Sequence, residues 1–113
     1  MYYLRQMLFY NVTTNIDDLH HGEWLQYMLK KHVPEVMGCG CFLGYKISKL
    51  MDSESPGQTY VFQYLCDSQS VLDNYLTNYA PSLRQDVINK FGSAFTAFRS
   101  VMEIVDEGEY MVN

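Results

Sequence analysis

Basic residues are scarce in this chain: eight Lys and Arg stand against 13 Asp and Glu, for a net charge of −5. The eight are scattered, so no cluster can neutralise a run of phosphates, and a nucleic-acid partner is excluded on that ground. The same shortage excludes a basic helix lying on an anionic membrane. Long apolar runs are missing too. No stretch approaches the roughly 20 residues needed to cross a bilayer, and residues 1–7, Met-Tyr-Tyr-Leu-Arg-Gln-Met, lack the apolar core of a secretory signal. A cytoplasmic location is therefore expected. Cysteine is limited to Cys39, Cys41 and Cys66. Any pairing leaves one thiol over, and Cys39 and Cys41 are too close to staple distant segments, so reduced thiols in a reducing compartment are expected. A Gly-rich phosphate loop, a Ser-His-Asp order and a paired-carboxylate motif are likewise absent.

What the chain does have is apolar bulk. Hydrophobic residues make up 48% of its 113 positions, enough for one core and against disorder. Ten tyrosines are an unusual share. Their apolar bodies and polar tips suit strands, pocket walls and interfaces.

Periodicity orders these residues into elements. Residues 7–14 alternate as a strand, and residues 15–18 form a turn in which Asp17 or Asp18 can cap a helix. Residues 23–31 carry helical spacing through His21, Trp24, Leu25, Met28 and His32, with Pro34 expected to stop the helix near His32. Residues 42–51 and 59–66 read as a hairpin across a polar Pro-Gly loop. Asp67 or Ser68 caps a helix whose stripe is Val71, Leu72, Tyr75, Leu76 and Tyr79. Pro81 breaks that helix and opens another, which ends at Gly92. Residues 95–106 give a last strand. The order β-α-β-β-α-β predicts an α+β ferredoxin-like fold: a four-stranded antiparallel sheet, order 4-1-3-2, with helices on one face. Residues 7–106 make the domain, residues 1–6 an extension and residues 107–113 a tail.

Alternation also assigns the faces. The richer apolar sets, Leu8/Tyr10/Val12, Leu43/Tyr45/Ile47, Tyr60/Phe62/Tyr64 and Phe98/Met102/Ile104, are expected under the helices. The open face then gathers Phe42, Thr13, Thr59 and Val105 with two functional groups of residues. Phe9, Val61, Leu65 and Val101 predict a homodimer interface. Asn11, Lys46, Gln63, Arg99 and Glu103 are the polar groups that would line a cavity for a small organic ligand.

The catalytic candidates are few. His32 titrates near neutrality and, beside Glu35 in sequence, could exchange protons; Glu103 is the other candidate base. The three histidines, His20, His21 and His32, and the Cys-x-Cys pair do not match the spacing of a zinc clamp, and no metal or cofactor is expected. Arg84 stands in the first turn after Pro81, where a helix disfavours cations. Its expected partner is Asp86, Glu103 or an anionic ligand.

Taken together, Tyr10-Asn-Val-Thr, Glu23-Trp-Leu, His32-Val-Pro-Glu-Val-Met, Gln63-Tyr64, Ala80-Pro-Ser-Leu-Arg, Phe91-Gly and Phe95-x-Ala-Phe-Arg resemble domain-of-unknown-function family 4286, small proteins found largely in Bacteroidetes. The resemblance spans about residues 7–106. It implies a ferredoxin-like domain similar to dimeric α/β-barrel proteins and marks His32, Pro34, Tyr79, Pro81, Arg84, Phe98 and Arg99 as signature positions. It carries over no activity. The expected function is thus a homodimeric binding or interaction module, with a cofactor-free monooxygenase or isomerase as the alternative.

Overall fold

In the computed structural model, residues 6–51 and 54–109 are described. The chain runs β1 (Leu8–Ile16), α1 (His21–Tyr27), a π-helical segment (Met28–His32), α2 (Val33–Gly38), β2 (Phe42–Lys49), β3 (Gln58–Cys66), α3 (Gln69–Asn78), α4 (Ala80–Phe91), a 3₁₀ turn (Gly92–Ala94) and β4 (Phe95–Glu103). The four strands form one antiparallel sheet in the order β2-β3-β1-β4. The expected ferredoxin-like architecture is therefore present, with helices covering one face. The expected leader lies mostly outside the described residues, as do half of the tail and part of the β2–β3 loop.

The central position of β1 explains its composition. It is flanked on both sides, and Leu8, Tyr10, Thr14 and Ile16 are buried beneath the helices. Opposite them in β3 lie Cys66, Tyr64, Tyr60 and Gln58. The helical layer adds Trp24, Met28, Val33, Val36, Leu72, Tyr75, Leu83, Val87 and Phe91. Stops and starts follow local chemistry. Ser68 caps α3 by accepting the Val71 N–H at 3.3 Å, and Gly92 ends α4 with φ +53°.

Three expectations need correction. The first helix does not stop at His32. The chain continues helically through Pro34 to Gly38, because the segment before the proline widens to π geometry, with the Val33 N–H reaching the Met28 carbonyl. In a regular helix the proline ring would meet the carbonyl four residues back, and a one-residue expansion relieves that conflict.

The second correction is at the start of β2. A register shift between Phe42 and Gly44 sets Phe42 opposite Cys66, and Tyr45 and Ile47 opposite Tyr64 and Phe62. Phe42 is thus a core residue, whereas Leu43 is exposed. An irregularity next to a strand glycine reverses the parity that strict alternation assumes.

The third concerns β4, which is turned over. Arg99 pairs with Val12, Val101 with Tyr10 and Glu103 with Leu8, so all three lie on the helix side of the sheet. Phe98, Ser100 and Met102 pair with Thr13, Asn11 and Phe9 and take the open side. The strand also ends at Glu103, with only the Ile104 N–H continuing, to the Met7 carbonyl. As an edge strand β4 is exposed along most of its length. Burial under helices therefore does not dictate which of its faces is richer in apolar residues.

The β2–β3 connection returns through Gly57 at φ +79°. A Cβ there would stand 2.5 Å from the Ile16 carbonyl oxygen and 3.0 Å from Asn15 Oδ1. Asn15 Nδ2 meanwhile donates to the Pro56 carbonyl and to Thr59 Oγ1, pinning the loop to β1. Both the backbone conformation and the space require glycine. Gly57→Ala is expected to lower stability by about 2 kcal/mol, read as a reduced urea midpoint with an unchanged denaturant slope.

Candidate functional site

Aromatic packing sets the floor of the site. Tyr10 is buried on β1, stacked with Phe42 at a centroid distance of 6.1 Å and tilted against Tyr64 and Tyr75 at 6.3 and 5.9 Å. Phe42 in turn meets Tyr64 at 5.0 Å and Tyr75 at 4.7 Å. The rings bring one strand from each side of the hairpin, the central strand and α3 into one cluster. At its polar end the Tyr10 hydroxyl accepts a hydrogen bond from Arg84 Nη2 of α4, 2.9 Å away. This is the partner of Arg84. The salt bridge expected for it does not form: among the described residues no ion pair joins Arg84 or Arg99 to a carboxylate.

Above this floor, between the sheet and the helices, is a cavity of about 190 Å³. The sheet lends it Tyr10, Val12, Thr14, Phe62, Tyr64, Ala97 and Arg99. The helices lend Trp24, Met28, His32, Val36, Tyr75, Arg84 and Val87. Its wall is thus mainly apolar and aromatic, with two guanidinium groups and one imidazole, and among the described residues it contains no carboxylate. That is the make-up of a small-molecule site: apolar bulk for affinity and a few polar groups for orientation.

His32 lies in the π segment, half-buried. Burial is the main reason its pKa falls to about 4; Arg99 and Lys31 push the same way, while Glu35 and Asp86 oppose. The imidazole, expected to titrate near neutrality, is instead neutral well below that range, and burial makes it a weaker base than a free histidine. Glu35 is not its hydrogen-bonding partner, since that carboxylate accepts from Lys31 Nζ at 2.8 Å on the outer face. Burial pushes the Tyr64 and Tyr75 hydroxyls well above the ordinary tyrosine range, so both remain protonated donors. At Tyr75 the nearby Arg84 and Arg99 partly offset that rise, which places both guanidinium groups within electrostatic reach of one hydroxyl.

Of the residues singled out from sequence, His32, Arg84 and Arg99 come together on this cavity. Asn11, Lys46 and Gln63 do not line it; they lie side by side on the open face, where Asn11 pairs with Gln63 and Gln63 with Lys46. Glu103 is on the helix side but outside the cavity wall, and it is exposed. The alternation argument missed Trp24, Tyr64 and Tyr75 as wall residues because it treated them only as core. A signal was present: two tyrosines and a tryptophan on buried faces bring polar atoms that need partners, and the Trp24 indole N–H, fully buried, has none.

The cysteines are set apart from this chemistry. The Cys66 thiol donates to the Cys41 and Ser68 carbonyls, and burial raises the Cys39 and Cys66 thiols above their usual range. Among the described residues no three metal-ligating side chains gather, and no helix is long and apolar enough to cross a membrane.

The open face carries a second feature. Phe9, Val61 and Leu65 are half-buried there, and Phe98 and Met102 are 63% and 46% exposed. Asn11, at the centre of this face, is only 4% exposed, and its Oδ1 lacks a hydrogen-bond partner.

Solved structures share the fold at low identity. A dimeric ferredoxin-like protein from an uncultured marine organism superposes with a TM-score of 0.66 at 12% identity, covering 91% of this chain and 99% of its own. An EthD-like protein from Ralstonia eutropha JMP134 gives 0.68 at 18%, covering 93% and 97%. A putative antibiotic biosynthesis monooxygenase from Bacillus cereus gives 0.65 at 8%, covering 93% and 99%. No curated protein matches. The family model of a domain of unknown function, DUF4286, matches residues 7–105, and the chain belongs to that family.

Proposed function

We propose that the protein is a homodimer, joined through the open face of its sheet, that holds a small organic molecule in the cavity beneath its helices and moves a proton on it without a cofactor. The observation that carries this reading is the neutral imidazole of His32 at the wall of a cavity that three tyrosines, Tyr10, Tyr64 and Tyr75, also line. A filled interior with no titratable group at a wall would have favoured a purely structural module. In the proposed reaction His32 takes a proton from an acidic C–H of the ligand. The electron pair left behind delocalises onto an adjacent carbonyl oxygen, which the Tyr64 and Tyr75 hydroxyls meet as donors. Return of the proton from the imidazolium to another carbon completes an isomerisation in which nothing is oxidised or reduced. The protein of similar fold described as a putative antibiotic biosynthesis monooxygenase supports an enzymatic use of the fold.

The cytoplasm is the proposed location, on the reduced cysteines. The dimer rests on the open face. Phe98 and Met102 replace Val101 as its outer apolar residues, beside Phe9, Val61 and Leu65, and the similar protein described as dimeric supports a dimer. A patch of this kind on a central sheet is a protein-contact surface.

Two measurements test these points. Size-exclusion chromatography with light scattering should report a dimer at tens of micromolar for the wild type and a monomer for Val61→Glu; an undisturbed dimer in the variant would move the interface elsewhere. For the cavity, ligands found by thermal-shift screening are incubated in D₂O. The wild type should incorporate one deuterium into a turned-over ligand and His32→Gln should not; equal incorporation would remove His32 from the proton transfer.

The depressed pKa of His32 also bears on stability. The unfolded state takes up a proton near pH 6.5 and the folded state only near pH 4. Above pH 6.5 both states are neutral at this group and its contribution is constant. As pH falls from 6.5 to 4 the unfolded state binds more protons, and the folded state loses stability. The loss is roughly 2 kcal/mol after screening in a half-open site. Urea midpoints across this window should fall more steeply for the wild type than for His32→Gln.

A further inference from the structure

The cavity reverses the sign of the molecule around it. In a chain of net charge −5, its wall holds Arg84 and Arg99 and, among the described residues, no carboxylate. Neither guanidinium is neutralised by an ion pair among the described residues. One is fixed: Arg84 is held by the Tyr10 hydroxyl, a neutral partner that takes one of its five donors and leaves the charge uncompensated. The other comes from across the cavity, on β4, opposite Val12. Both residues line the same cavity, and both act at the Tyr75 hydroxyl against the rise caused by its burial. Arg84 is half-buried and Arg99 exposed, and with no carboxylate joined to either among the described residues both are available to an anion from outside.

The remainder of the wall defines the rest of the ligand. Tyr10, Tyr64, Tyr75, Trp24 and Phe62 present ring surfaces, and Trp24 adds a buried indole N–H with no partner. The volume of about 190 Å³ is small. An apolar cavity of about 150 Å³ accepts benzene, so this one has room for a single ring and a short polar substituent, not for a nucleotide or a fused multi-ring system.

We propose that the cavity selects a small aromatic carboxylate, its ring among the aromatic side chains and its carboxylate between Arg84 and Arg99. The inference rests on the cavity being the ligand site, and it assigns the two arginines the anchoring role and leaves His32 free for proton transfer. Planar guanidinium groups match a carboxylate through paired N–H donors, which an amide of the same shape cannot accept equally well.

The test uses the full chain and two probes of nearly equal shape, benzoate and benzamide, titrated by calorimetry in chloride-free buffer, with amide shifts by NMR to locate the contact. Benzoate should bind at least about tenfold more tightly than benzamide and shift resonances of cavity residues. In Arg99→Met the ratio should collapse toward one, while Arg99→Lys, which keeps the charge, should retain part of it. Circular dichroism and the urea midpoint check that both variants fold. Equal binding of the two probes by the wild type would overturn the carboxylate assignment and leave the cavity reading intact. A preference for benzoate that survives in Arg99→Met and in Arg84→Met would also overturn it, by placing the anion elsewhere. Failure of both probes to bind at millimolar concentration would overturn this inference and the cavity reading together.

Discussion

The hydrogen bond between the Tyr10 hydroxyl and Arg84 is where core and site become one structure. Tyr10 is fixed by its neighbours: Phe42, Tyr64 and Tyr75 surround the ring at centroid distances of 5.9–6.3 Å, and it lies on the central strand, paired on both sides. A ring held so firmly gives its hydroxyl one position. The guanidinium of Arg84, otherwise a flexible group near the start of a helix where a cation is disfavoured, is thereby held at the cavity. The packing that stabilises the domain also orients a charge. A backbone-only description of the fold would miss this link.

The π segment has a comparable double role. It is the local answer to a proline within a helix, and it widens one turn so that the chain can pass through Pro34 without a break. The same turn carries His32. Expansion by one residue changes the direction of every side chain after it relative to a regular helix, which is why such segments recur where a helix must aim a particular group. Here the passage of the helix through Pro34 and the placement of His32 on the cavity wall both depend on one segment of five residues.

Much of the architecture was legible in the sequence because it is governed by local chemistry. Strand alternation, Ser68 as a cap, Pro81 as a helix start and Gly92 as a stop all act within a few residues of themselves. Strand order followed from β-α-β-β-α-β. What alternation could not supply was parity at two places. At Phe42 an irregularity in pairing reversed the faces, and only the glycine two residues later hinted at it. At β4 the assumption that the richer face is the covered face failed, because the helices leave much of that edge strand bare. Arg99 and Glu103 consequently exchanged sides with Phe98 and Met102. Arg84 was visible as an oddly placed cation, His32 as a candidate base and Arg99 as a polar group on a strand. That they meet is a property of helix packing over the sheet, and no spacing in the sequence encodes it. The aromatic wall residues were counted as core, since from sequence a buried tyrosine in a core and one beside a cavity look the same.

The position of β4 at the sheet edge also gives the two faces a mechanical relation. Its adjacent residues Phe98 and Arg99 point to opposite sides, the first to the open face and the second to the cavity. β4 has a single strand neighbour, β1, and its exposed apolar side chains receive no support from the helices. In the proposed dimer Phe98 and Met102 are packed by the second subunit, which restrains the backbone on which Arg99 stands. A carboxylate held jointly by Arg84 and Arg99 would in turn tie β4 to α4 across the cavity. Association and ligand binding then act on the same strand from its two sides, and each reduces the conformational freedom that the other must remove. The division between an interface face and a ligand face is therefore not an independence of the two. In the proposed dimer, β4, the least buried strand of the sheet, would be the element through which the second subunit acts on the site.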